Sequence, residues 1–259
     1  MAIILNIDVS GQQGLVALSQ NGTCIDSIVN AEPMQHASFL QPAIQALLSR
    51  NKVAITALNA VAISNGPGSY TGLRVGLASA KGLCFALNIP MITLNTLQVI
   101  AKASSSFVEY NSKKFINRLS AEYSEAKSEK EPLRNEENNN TVATIFCPMI
   151  DARRMEVFFG VFDKDNNTII EPGAAIIDEN FLFRLLQNNT VYFSGSGAKK
   201  WMQLTQHPNA LFLPELPVNE ALCELSFSRY NIRQFVHLSL VEPFYCKEFY
   251  NPNLKISLQ

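Results

Sequence analysis

The chain has 259 residues, enough for one large domain or two small ones around a sizeable core. Nearly half of them are apolar, 17% are charged and the formal net charge is -1. That balance excludes a disordered chain and offers no general basic field to draw in nucleic acid.

From the N-terminus, AIILNID reads as a buried strand, GLVALSQ as a second and TCIDSIV as a third, with polar turns at Ser10-Gly11 and Asn21-Gly22. HASFLQPAIQALLSRN repeats Leu40, Ile44, Leu47 and Leu48 at helical spacing. The strand NAVAIS, a glycine-rich turn, a helix from about Tyr70 to Leu87, the strand IPMITLN and a short helix TLQVIAKAS complete a β-β-β-α-β-α-β-α half. A similar order returns from Thr141. TIFCPMID, EVFFGVFD and TIIEPGAAII read as strands, ENFLFRLLQN as a helix, VYFSGSG as a strand and AKKWMQLTQ as a helix. A last helix spans about Val218 to Phe235, before the tail EPFYCKEFY. The pattern predicts an α/β fold of duplicated βββαβα subdomains. The boundaries fall at 1–102, 103–141, 142–217 and 218–259. Residues 103 to 140 are rich in Ser, Glu, Lys and Asn. Their last part reads as a solvated loop, preceded by an amphipathic piece carrying Phe115, Ile116, Leu119 and Tyr123.

The turn NGPGSYTGLRVG spaces its glycines at 66, 68 and 72, then 76. This is neither the dinucleotide fingerprint G-x-G-x-x-G nor a P-loop, since no GK[ST] follows. A helix N-terminus can still hold an anion; the plainer reading is a sharp turn with Ser69 capping the helix. The helix itself is apolar most of the way round, and Gly72, Gly76 and Ala80 fall four apart on a smooth face. Either it is sandwiched within its own domain, or another protein covers its second face.

Other chemistry is sparse. The five cysteines are scattered without a CxxC pair, so they read as thiols of a reducing compartment. The three histidines, at 36, 207 and 237, lack metal-ligand spacing, and His36 reads as a capping or surface residue. FSGSGAKK does not fit the nucleophile elbow G-x-S-x-G. Arg153-Arg154 and Lys199-Lys200 are short pairs that read as solvated surface. Asp8 and Asp151 end strands at matching places in the two halves. Such carboxylates either bind magnesium and activate water in a phosphotransferase, or bond nearby backbone N–H groups in a turn. The N-terminus has no basic leader region, and no apolar run approaches the ~20 residues that span a bilayer. A cytoplasmic protein is expected.

Together, ILNIDVSGQQGLVAL, HASFLQPAI, NGPGSYTGLRVGLASAKGL and MIDARRMEVFFGVF resemble the TsaB (YeaZ) family over most of the chain. EPFYCKEF is similar to the family's closing segment. The resemblance implies an actin/Hsp70-like fold and a non-catalytic subunit without metal or cofactor of its own. Such a subunit pairs with the catalytic paralogue TsaD and recruits the ATPase TsaE, and these partners hold the ATP or ADP and the metal. The complex transfers threonylcarbamoyl to adenine 37 of tRNAs reading codons that start with A, so tRNA is reached through the complex. The resemblance makes Gly66, Pro67, Gly68, Ser69, Tyr70, Thr71 and Arg74 an inherited turn, and Asp8 and Asp151 vestiges of a nucleotide site. It assigns the TsaD contact to Leu40, Ile44 and Leu47 of one helix and Gly72, Leu73, Gly76, Leu77 and Ala80 of the next. A homodimer through a similar surface is also expected. TsaD holds its metal through an N-H-x-x-x-H segment; the matching stretch here, TLNTLQ at 93–98, has no histidine. The 103–140 stretch is longer than the family leads one to expect. The alternative is an enzyme on the same fold, an ATP-dependent phosphotransferase or a glycoprotease-like hydrolase.

Overall fold

Successive side chains of a strand point to opposite faces, so a strand apolar at every position must be covered on both sides. β1 (Ile3–Asp8), with Asn6 and Asp8 buried among its apolar residues, is covered in this way: Leu5 and Ile7 face one core and Ile4 the other. The structure is a computed structural model that describes residues 1–30, 32, 35–125 and 143–247. β1 is the centre of a five-stranded sheet. It pairs antiparallel with β2 (Leu15–Gln20), which pairs antiparallel with β3 (Thr23–Val29). On its other side lie β4 (Ala60–Ser64) and β5 (Met91–Leu94), both parallel.

The second sheet repeats this order. β6 (Ala143–Asp151) is flanked by antiparallel β7 (Glu156–Asp163) and then β8 (Thr168–Ile176). Parallel β9 (Asn189–Ser194) and β10 (Ala210–Phe212) complete the other side. Read outward, the two sheets are β3-β2-β1-β4-β5 and β8-β7-β6-β9-β10. Sequence reasoning missed the three-residue β10, which completes the repeat. This is the duplicated α/β architecture expected.

Helices α1 (His36–Arg50) and α2 (Tyr70–Leu87) cover one face of the first sheet. The other face is shared by the start of α3 (Thr96–Glu125) and by α6 (Asn219–Asn231). α3 also crosses to the second sheet, where Leu97 and Ala101 pack on Phe146 and Phe162. Each half thus lends its third helix to the other, and no single half closes its own core. α4 (Phe183–Leu186) and α5 (Ala198–Met202) cover the far face of the second sheet around fully buried Trp201.

Three expectations change. The helix expected to end near Ser104 continues unbroken to Glu125, because nothing from Thr96 to Glu125 is Gly or Pro. Single turns replace the two longer helices expected after β8 and β9. Before the first of them, Leu182 takes a left-handed conformation (φ 56°). The last helix stops at Asn231, followed by Arg233 at φ 55°. The last part of 103–140, from residue 126 on and expected to be a solvated loop, the side chains of the expected amphipathic stripe, and residues 248–259 of the tail lie outside the described residues.

Candidate functional site

β1 and β4 run parallel, so their C-terminal ends, with the glycine turn, open on the side where open α/β sheets take ligands. Ser69 Oγ accepts from the Gly72 amide at 3.3 Å and caps α2. The chain's own backbone comes close to this turn. A Cβ on Gly72 would collide with the Val9 carbonyl, and one on Gly68 with the Ser10 carbonyl. The Ser69 amide donates a hydrogen bond to the Ser10 carbonyl at 2.7 Å. Gly66, at φ 118°, faces the carbonyl of Phe244. Here the glycines serve close approach of backbone to backbone.

The tail seals the turn. The Phe244 amide donates to the Asn65 carbonyl at 2.7 Å, and Asn65 Nδ2 to the Glu242 carbonyl at 2.8 Å. Arg74 lies over the Tyr70 ring at 4.5 Å, and the Tyr70 and Tyr245 ring centres are 5.6 Å apart. His36 is buried, not at the surface as expected, and its Nε2 lies 3.1 Å from the Gly11 carbonyl.

The two aspartates form the same local motif. Asp8 accepts from the amide of Ser10 at 2.9 Å and from its hydroxyl at 2.6 Å. Asp151 accepts from the Arg153 amide at 2.6 Å and from Lys200 at 2.5 Å. Burial opposes ionisation of Asp151, but the Lys200 and Arg153 bonds outweigh it and hold the carboxyl below its ordinary value. A carboxylate so paired is not free for a magnesium ion. At TLNTLQ, Asn95 Oδ1 caps α3 through the Leu97 amide at 2.9 Å. Arg229 of α6 reaches in to donate to the Thr93 carbonyl and, at 2.8 Å, to Gln98 Oε1. A guanidinium there disfavours a metal. Among the described residues, no group of three or more His, Cys, Asp or Glu could hold one. These residues do not fit a nucleotide-metal centre. Sequence reasoning gave no sign of Arg229 and read Lys200 as solvated surface, whereas Lys200 is paired with Asp151; their partners lie 136 and 49 residues away.

All eight residues assigned to partner contact lie inside this chain. Leu40, Ile44 and Leu47 of α1, and Gly72, Leu73, Gly76, Leu77 and Ala80 of α2, are buried. A Cβ on Gly76 would stand 2.5 Å from Val9 Cγ2 and 3.0 Å from Ile63 Cδ1. Helical periodicity marks an apolar stripe without saying what covers it, and here the chain's own sheet does. The uncovered face is the opposite one. Ala78, Gly82, Phe85 and Ala86 are exposed, Phe85 at 83%. A groove of ≈ 610 Å³ beside it is lined by Ile44, Leu48, Val53, Ile55 and Leu83, among others.

Two equivalent sheets with exchanged helices, and parallel strands ending at a helix-launching glycine turn, define the duplicated actin/Hsp70-like class. Comparison with known proteins agrees. The profile of the TsaD family, tRNA N6-adenosine threonylcarbamoyltransferase, matches residues 31–114. The tRNA threonylcarbamoyladenosine biosynthesis protein TsaB of Escherichia coli K12 is 25% identical over 252 residues, 94% of each chain. TsaB of Haemophilus influenzae is 24% identical over 88% of this chain and 90% of its own. A solved structure titled YeaZ from Pseudomonas aeruginosa shares the fold at a TM-score of 0.66, with 23% identity over 95% of this chain and all of that one. Over nearly its whole length the chain is similar to proteins of the TsaB (YeaZ) family.

Proposed function

We propose that this chain is the non-catalytic partner of TsaD in the threonylcarbamoylation of adenine 37 in tRNAs that read codons starting with A. The reading rests on one observation above all: the glycine turn is closed by the chain's own carbonyls from Val9, Ser10 and Phe244. What remains for association is the outer face of α2, where small residues flank exposed Phe85. This face would seat TsaD, and a second copy of the chain in a homodimer. TsaE would join the assembled pair. ATP or ADP and the metal would belong to TsaD and TsaE, with this chain carrying neither, and the work would be done in the cytoplasm. No helix among the described residues is long and apolar enough to cross a membrane. The phosphotransferase alternative needs a free Asp151, which Lys200 occupies.

The test is reconstitution from purified TsaD, TsaE, tRNA and threonylcarbamoyl-adenylate, with and without this chain. Modification should require the chain, which alone should bind no ATP with magnesium. Full modification without it, or ATP turnover by the chain alone that is lost in Asp8→Ala, would contradict the proposal.

A further inference from the structure

Two short basic pairs that lie 45 residues apart in sequence meet in one corner of the second sheet. The β6–β7 turn carries Arg153 and Arg154; α5 carries Lys199 and Lys200. Lys200 ties them together, with Nζ 2.5 Å from Asp151 Oδ1 and 2.6 Å from the Arg154 carbonyl. The other carboxylate of the corner, Glu156, is paired with Lys247 of the tail. The two carboxylates that flank the turn are therefore matched, and Arg153, Arg154 and Lys199 are left exposed with no ion pair among the described residues. On a chain of net charge -1 this is a local surplus of positive charge. Asp178 and Glu179 bound it on the far side of Met155, across a small groove.

The turn is also fixed in place. Arg153 and Arg154 stand at φ 69° and 48°. Asp151 accepts from the Arg153 amide at 2.6 Å, and the Glu156 amide donates to the Arg153 carbonyl at 3.1 Å. Two guanidiniums on a braced turn suit phosphate oxygens, which arginine grips with paired N–H donors. A protein seat would instead centre on an aromatic or aliphatic anchor with few lysines.

We infer that Arg153, Arg154 and Lys199 contact the phosphate backbone of the RNA substrate directly, so that this chain grips tRNA as well as supporting TsaD. The inference rests on the function proposed above. Lys200 is excluded from the test because it braces the turn.

The triple variant Arg153→Gln/Arg154→Gln/Lys199→Gln, and Lys199→Gln alone, would be assembled with TsaD and titrated with fluorescent tRNA across a salt series. Light scattering and thermal melting would run alongside. The complex and the melting temperature should be unchanged. The triple variant should bind tRNA at least about tenfold more weakly near physiological salt. Its slope of log affinity against log salt should be smaller by about two to three, as expected for that many lost phosphate contacts. Lys199→Gln alone, on a helix surface, should reduce the slope by about one. Unchanged affinity and slope in an intact complex would overturn the inference. So would loss of the complex in either variant while the protein stays folded, which would make the corner a seat for an acidic protein. Failure of the unaltered chain to join TsaD would overturn the underlying function instead.

Discussion

Gly72 and Gly82 share one helix and one residue type, yet their surroundings oppose each other. A Cβ at Gly72 collides with the Val9 carbonyl, whereas at Gly82 it meets nothing within 4 Å. Gly72→Ala should therefore cost about 1–3 kcal/mol, the range for forced overpacking. Gly82→Ala should stabilise by roughly 0.5–1 kcal/mol, because alanine suits an exposed helix interior better than glycine. Urea unfolding of the two variants separates them; equal effects would refute the packing described for the turn. The thiols give a second test at this scale. Burial pushes Cys84 up to about 11 and Cys246 up to about 11, from an ordinary 9.0. A pKa raised by folding means that the unfolded chain loses its protons first. That contribution to stability is whole below about pH 9 and is lost as pH rises through about 11. Urea midpoints should fall between those limits, and less steeply in Cys84→Ala. A midpoint that stays flat across this window would contradict the placement of Cys84 in the core and of Cys246 half-buried in the tail.

The helices show how far each element was legible and why. α1 and α2 follow from their apolar spacing, but periodicity cannot tell a stripe facing the home sheet from one facing a partner. Leu40, Leu47 and Leu77 went to the sheet. The side that carries the proposed association shows only Ala78, Gly82, Phe85 and Ala86, too few large residues to stand out as a stripe. α3 was obscured for another reason. Its Ser-rich and charged middle has the composition of a linker, while its backbone has the propensity of a helix. β10 is three residues before a proline at 214, too short to show alternation. These distinctions make the helix face testable. Phe85→Glu should leave the melting temperature within a few degrees, since an exposed side chain contributes little to folding, yet weaken association with TsaD at least tenfold. Gly76→Arg would not serve, because Val9 and Ile63 surround that position and the fold itself would fail. If Phe85→Glu binds TsaD as the unaltered chain does, the outer face of α2 is not the seat.

At the scale of the molecule, duplication explains both what is present and what is spent. The matching strand orders, the paired aspartate turns at the ends of β1 and β6, and the positive-φ glycines Gly66 and Gly195 that follow β4 and β9 all repeat a plan that suits a ligand between two halves. Gly195 packs against the Met149 carbonyl much as Gly72 packs against that of Val9. In this chain the plan is closed from within. Backbone carbonyls fill the turn, Lys200 takes Asp151, Arg229 braces the start of α3, and the tail runs from Asn65 across to Glu156. The duplicated sheets were legible from the recurring element order. The closure was not, because it depends on contacts such as Asn65 with Glu242, 177 residues apart. The central claim is that such a molecule works by association. Light scattering after size separation, on this chain mixed with TsaD of the same organism, tests it most directly. A new stable species with the mass of a mixed complex is expected, with or without nucleotide. Two proteins eluting unchanged under both conditions would contradict it.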